Sequence, residues 1–80
     1  MRKRFTKEER EAFTLGTSVE WRNVTHWHPG TITGPIARVD GWDELPVTNH
    51  ADTRTVMPGA LILAGPTFVR LPAETAGDSR

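Results

Sequence analysis

The chain has no cysteine, no long apolar run and no net charge. Without cysteine it has neither a disulfide framework nor a thiolate metal site to supplement its core, and the natural expectation is a reducing, cytoplasmic setting. No stretch approaches the roughly 18 apolar residues that cross a bilayer, and the basic start at Arg2, Lys3 and Arg4 leads into charged residues instead of a hydrophobic segment. Neither a membrane span nor a secretion signal is therefore expected. A dedicated duplex-DNA binder would carry a stronger basic footprint than a chain whose charges sum to zero.

Chemical machinery is also sparse. No Ser sits in a nucleophile elbow, and the glycines form no phosphate-cradling loop. Asp43 and Glu44 are adjacent, so on a strand they face opposite sides and cannot share a proton-transfer task. They read as a solvated hairpin shoulder. His26 and His28 would project the same way from an extended segment and suit a bidentate metal site, but no nearby residue supplies further ligands. The expectation is a protein with no enzymatic activity, no cofactor and no metal.

What is present are the makings of one small domain. Eighty residues bury only about 60% of the surface of the unfolded chain, so the core must be thin. Charge is unevenly spread. Residues 1–13 hold five basic and three acidic side chains, residues 14–72 four basic and five acidic. Thr6 followed by Glu9 fits a capping box, which predicts a helix from about Lys7 to Phe13. A helix of two turns is unstable alone. It either docks, through Phe13 and Phe5, or forms part of a solvated, charged arm.

From Ser18 the apolar period becomes two: Val19 and Trp21 lie on one face, Ser18, Glu20 and Arg22 on the other. Residues 16–33 read as a hairpin of two short strands whose connection carries Trp21, His26, Trp27 and His28 and closes at Pro29-Gly30. Gly34-Pro35 marks a bend. Ile36–Val39 and Trp42–Asn49 flank Asp40-Gly41, a strong two-residue turn signal. Further strands are expected over Thr53–Met57, Ala60–Ala64 and Phe68–Leu71. The predicted core is Val19, Ile32, Ile36, Leu45, Val47, Val56, Leu61, Leu63, Val69 and Leu71. Five to six short strands at this spacing make an all-β antiparallel barrel with a short N-terminal helix.

The order of pieces carries a resemblance. Gly16 to Trp21, then Trp27-His28-Pro29-Gly30-Thr31-Ile32, then Asp40-Gly41-Trp42, and last Val69-Arg70-Leu71-Pro72 together look like the SH3-like barrels of the Tudor and Agenet type. On that resemblance residues 1–14 form a charged arm with a short helix, 15–72 an SH3-like barrel, and 73–80 a disordered tail. The resemblance implies a groove between the first loop and the loop joining the third and fourth strands, where aromatic rings hold a methylated Lys or Arg by cation–π attraction. Trp21 matches the family's aromatic at the end of the first strand, and His28 stands in place of the aromatic before the Pro. With no tyrosine in the chain, the second wall offers Asn49, His50 and Asp52 instead of rings. The composition, rich in Thr, Arg, Gly and Ala and poor in Lys, also resembles small proteins of actinobacteria and of their phages.

The function expected is a protein-binding adaptor using Trp21, Trp27, His28, Trp42, Asn49, His50 and Asp52. Trp21 equally suits core packing, and Trp42 equally suits covering the barrel end. The alternative is a nucleic-acid module in which Arg2, Lys3, Arg4 and Lys7 track phosphates while the tryptophans stack on bases. A third is a structural subunit of a larger assembly, a phage particle among them. Arg22, Arg38, Arg54 and Arg70 are either surface solubility residues or, if they gather on one face, a contact for phosphate or an acidic partner.

Overall fold

The computed structural model describes residues 2–72. A helix, α1 (Lys7–Ala12), precedes six strands: β1 (Ser18–Asn23), β2 (His26–Ile32), β3 (Ala37–Val39), β4 (Trp42–Asn49), β5 (Leu61–Ala64) and β6 (Val69–Arg70). All pairings are antiparallel, in the order β3-β4-β2-β1-β6, with β5 on the other side of β4. The sheet curls because β2 and β3 are one bent path along β4. Ile32 pairs with Val47, the chain bends at Gly34-Pro35, and Ala37 then pairs with Glu44. The fold is a small all-β barrel with one short N-terminal helix. Where β5 passes to β6 the chain crosses by a turn, closed by the Phe68 N–H donating to the Gly65 carbonyl at 3.0 Å.

Two-residue alternation decides which side chains enter. Val19 and Trp21 from β1, Ile32 from β2, Leu45 and Val47 from β4, Ala64 from β5 and Val69 from β6 form the core, with Phe5 and Phe13 added from the arm. Each such aliphatic side chain contributes about 1.5–3 kcal/mol through burial. Ile36, Val56, Ile62 and Phe68 pack on its margin.

Three expectations need correction. The first hairpin turns at Val24-Thr25, since Asn23 pairs with His26, and residues His26 to Gly30 lie within β2 instead of a loop. Pro29 is tolerated there because its backbone faces the end of β4, where its carbonyl accepts from the His50 N–H at 3.0 Å and the ladder stops. The segment Thr53–Met57 is not a strand: the Val56 N–H donates to Thr53 Oγ1 at 2.8 Å, and the Thr53 N–H to the Val56 carbonyl at 3.2 Å, closing a tight turn. Finally, Leu61, Leu63 and Leu71 are exposed, whereas Ile62 and Ala64 carry the inward face of β5. The expectation for residues 73–80 lies outside the described residues.

The arm docks. Phe5 and Phe13 are buried with ring centroids 5.6 Å apart, edge to face, clamping α1 between them. The Thr6 hydroxyl accepts from the Glu9 N–H at 3.1 Å while the Glu9 carboxylate accepts from the Thr6 N–H at 2.8 Å, completing the capping box. The Asp43 N–H donates to the Lys3 carbonyl at 2.7 Å, so the arm lies against the start of β4.

Candidate functional site

Because Arg22 pairs with Trp27, and Glu20 with Arg70, these side chains share the outward face opposite Val19 and Trp21. There the guanidinium carbon of Arg70 lies 4.0 Å from the centre of the Trp27 ring. That of Arg22 lies 5.7 Å from the same ring and 5.1 Å from the Phe68 ring. Such contacts add attraction of about 0.5–1 kcal/mol at exposed sites. Arg70 is further held by Glu20, its Nε donating to the carboxylate at 2.7 Å. Arg22 Nε is buried and has no hydrogen-bond partner among the described residues.

Farther along the same outward side, Trp42, Leu63 and Phe68 wall a groove of about 210 Å³ that Glu44 and Arg2 also line. The Lys3 ammonium sits 5.4 Å from the Trp42 ring centre. Beside the groove Leu61 and Leu63 are 62% and 57% exposed. Their main-chain groups are open too. The Ala60 carbonyl points at β4, accepting from the Asn49 N–H at 2.9 Å, so by alternation those of Leu61 and Leu63 point off the free edge of β5.

The residues expected to form one site therefore divide. Trp27 and Trp42 are half-buried on the outward side and are linked through Arg22 and Phe68. Trp21 is 3% exposed, and its indole N–H donates to Asn49 Oδ1 at 3.0 Å. His28 packs on it, with ring centroids 4.9 Å apart. Asn49 is completely buried and uses its whole bonding capacity: Oδ1 accepts from Trp21 and the Ala51 N–H, and Nδ2 donates to the Ala51 and Met57 carbonyls. Trp21 and Asn49 thus brace the β4–β5 loop, and among the described residues Trp21 lines no open aromatic cage. His50 is bonded to Thr31 at 2.7 Å, and Asp52 is exposed on that loop.

Of the basic residues assigned to the nucleic-acid alternative, Arg2 is paired with Glu9 and Lys3 lies on Trp42, while Arg4 and Lys7 are exposed. Burial alone would push the Glu9 carboxyl up, but the Arg2 guanidinium and the Thr6 N–H hold it below its ordinary value. No group of three or more His, Asp or Glu side chains is placed to hold a metal among the described residues. His26 is bonded to its neighbour Thr25.

Asp43 is the residue sequence reasoning misplaced most. Far from being a solvated shoulder, it is buried, and it accepts from Arg38 Nε at 2.6 Å and from the Phe5 N–H at 2.9 Å. The Arg38 hydrogen bond first, and the Phe5 N–H second, hold its carboxyl below the ordinary range. Of the four arginines that could have gathered, Arg22 and Arg70 do, Arg38 is spent on Asp43, and Arg54 is exposed on the β4–β5 loop. Phe68 was missed as a site residue. Its spacing of two from Arg70 on an alternating stretch was the available signal. No helix among the described residues is long and apolar enough to cross a membrane. No protein-family profile, curated protein or solved structure matches the chain.

Proposed function

We propose that the chain is a non-enzymatic binding module that takes a protein partner on the outward side of its sheet. One observation carries this: Leu61 and Leu63 stand mostly exposed beside the groove of Trp42 and Phe68, on an edge strand with open main-chain groups and no charge of its own. Contiguous apolar surface of this kind, centred on aromatic residues and rimmed by charges, is the composition of interface cores. Proteins commonly blunt such an edge with Lys or Pro, and β5, Leu-Ile-Leu-Ala, has neither. The resemblance to Tudor and Agenet barrels supports a peptide-like ligand in general, without the aromatic cage.

The test compares the intact chain with a Leu61→Ser, Leu63→Ser variant in capture from native cytoplasm. Both side chains are exposed, so the variant should keep its fold, checked by its circular dichroism. The partner should be lost, with at least a tenfold fall in affinity once it is purified. An unchanged set of captured proteins overturns the reading.

A second reading, single-stranded nucleic acid, is favoured by the gathering of Arg22 and Arg70 on one face, where they could meet a phosphate. Oligonucleotide affinity that falls steeply between low and moderate salt would support it and count against a protein partner.

A further inference from the structure

We infer that the partner presents an acidic side chain beside a large apolar one, the carboxylate on Arg22 and Arg70 and the apolar side chain in the groove of Trp42, Leu63 and Phe68. This rests on the protein-partner reading and names the chemistry the partner must carry.

Two guanidinium groups lie by Trp27, and among the described residues the carboxylate bonded to either is Glu20, which accepts from Arg70 Nε at 2.7 Å. Among those residues one positive charge is left over. It falls to Arg22, whose Nε is buried and unpartnered among the described residues. A guanidinium has only donors, arranged as a planar fork that fits a carboxylate or phosphate through two parallel bonds. Resting on Phe68 and Trp27, the Arg22 fork is held before any ligand arrives, which reduces the entropy lost on binding.

Phe68 ties this position to the groove. Its ring lies against Arg22 and also walls the groove with Trp42 and Leu63. An oxyanion on Arg22 and an apolar group in the groove are therefore contacts for neighbouring side chains of one ligand. Three facts favour a carboxylate over a nucleic-acid phosphate. Trp27 has guanidinium groups on its ring where a base would stack. The N-terminal cations Arg2 and Lys3 are engaged elsewhere. The chain as a whole has no positive excess to draw a polyanion.

The experiment selects binders of the intact chain from a random short-peptide display library and titrates the recovered peptides by fluorescence anisotropy, with an oligo-dT strand in parallel. Recovered peptides should place Asp or Glu next to a large apolar residue. Their affinity should fall about tenfold or more in Arg22→Gln and in Arg70→Gln. Arg22→Lys should restore it only in part, because an ammonium cannot form the two parallel bonds. An unchanged amide spectrum controls for folding in each variant.

Apolar peptides that need Leu61 and Leu63 but ignore both arginines would overturn the inference while leaving the protein-partner reading intact. Oligo-dT bound more tightly than every peptide would overturn both. So would a selection that enriches nothing.

Discussion

Gly30 stands where a Cβ would lie 2.5 Å from Val47 Cγ1, 2.9 Å from the Thr48 carbonyl oxygen and 3.2 Å from Trp21 Cδ1. Two of the three are packed core side chains and the other is backbone, so none can give way cheaply. Gly30→Ala should destabilise the fold by about 1–3 kcal/mol, read as a lower urea midpoint with an unchanged slope. Val24 is the opposite case. It is β-branched, 82% exposed and held at φ 34° in the first position of its turn, a region its side chain resists. Val24→Asn should raise stability by about 1 kcal/mol in the same measurement, since Asn tolerates this conformation. Neither requirement was legible beforehand, because Gly30 looked like the close of a loop and nothing marked Val24 as a turn residue. Trp21 and Asn49 were legible as special and misread in role. The sequence shows an aromatic and an amide, and only the fold reveals that they bond to each other.

Among the elements, those with local chemistry were predictable. Asp40 and Gly41 both take positive φ, at 52° and 83°, the geometry a two-residue hairpin turn demands, and β4 runs from Trp42 to Asn49 as its alternation indicates. The capping box likewise placed α1. Thr6→Ala should cost about 1 kcal/mol and show as faster amide exchange across Lys7–Ala12, with the strands unaffected. Elements without such chemistry were legible as strands in β1, β5 and β6, but not always in their facing or extent. In β5 four consecutive apolar residues carry no alternation, so nothing in the sequence says that Ile62 and Ala64 turn inward while Leu61 and Leu63 turn out. Thr53–Met57 has strand-like residues, yet the Thr53 hydroxyl offers the backbone a competing bond at Val56 and a turn wins. The site inherited this uncertainty, because its apolar half depends on which way β5 faces.

For the molecule as a whole, one buried carboxylate adds to the attachment that Phe5, Phe13 and the Lys3 carbonyl give the arm. Asp43 binds the Phe5 N–H and Arg38, and its carboxyl is depressed below the ordinary value. A depressed carboxyl contributes stability that is fully present above its unfolded pKa, about 3.9, and is lost as pH falls from there through the lower folded value. Glu9, depressed through Arg2 and Thr6, acts in the same direction. Acidification below about pH 4 should therefore loosen the arm before the barrel, seen as accelerated amide exchange at Phe5 and changed Trp42 fluorescence as Lys3 leaves the indole. In Asp43→Asn the acid limb of the stability curve should be shallower, and a limb as steep as in the native chain would refute the assignment. The all-β class and the single small core were visible from composition and periodicity. Docking through Phe5 and Phe13 was one of the two courses read for the arm, but the Asp43 contact was not visible, since it joins Phe5 to a residue 38 positions away. The grip of Asn49 on Ala51 and Met57 has a practical sequel: it closes the base of the loop where β4 hands over to β5. A fluorophore attached to the exposed side-chain position of Arg54 would hang from a closed clasp, giving a handle for immobilising the chain without disturbing either strand.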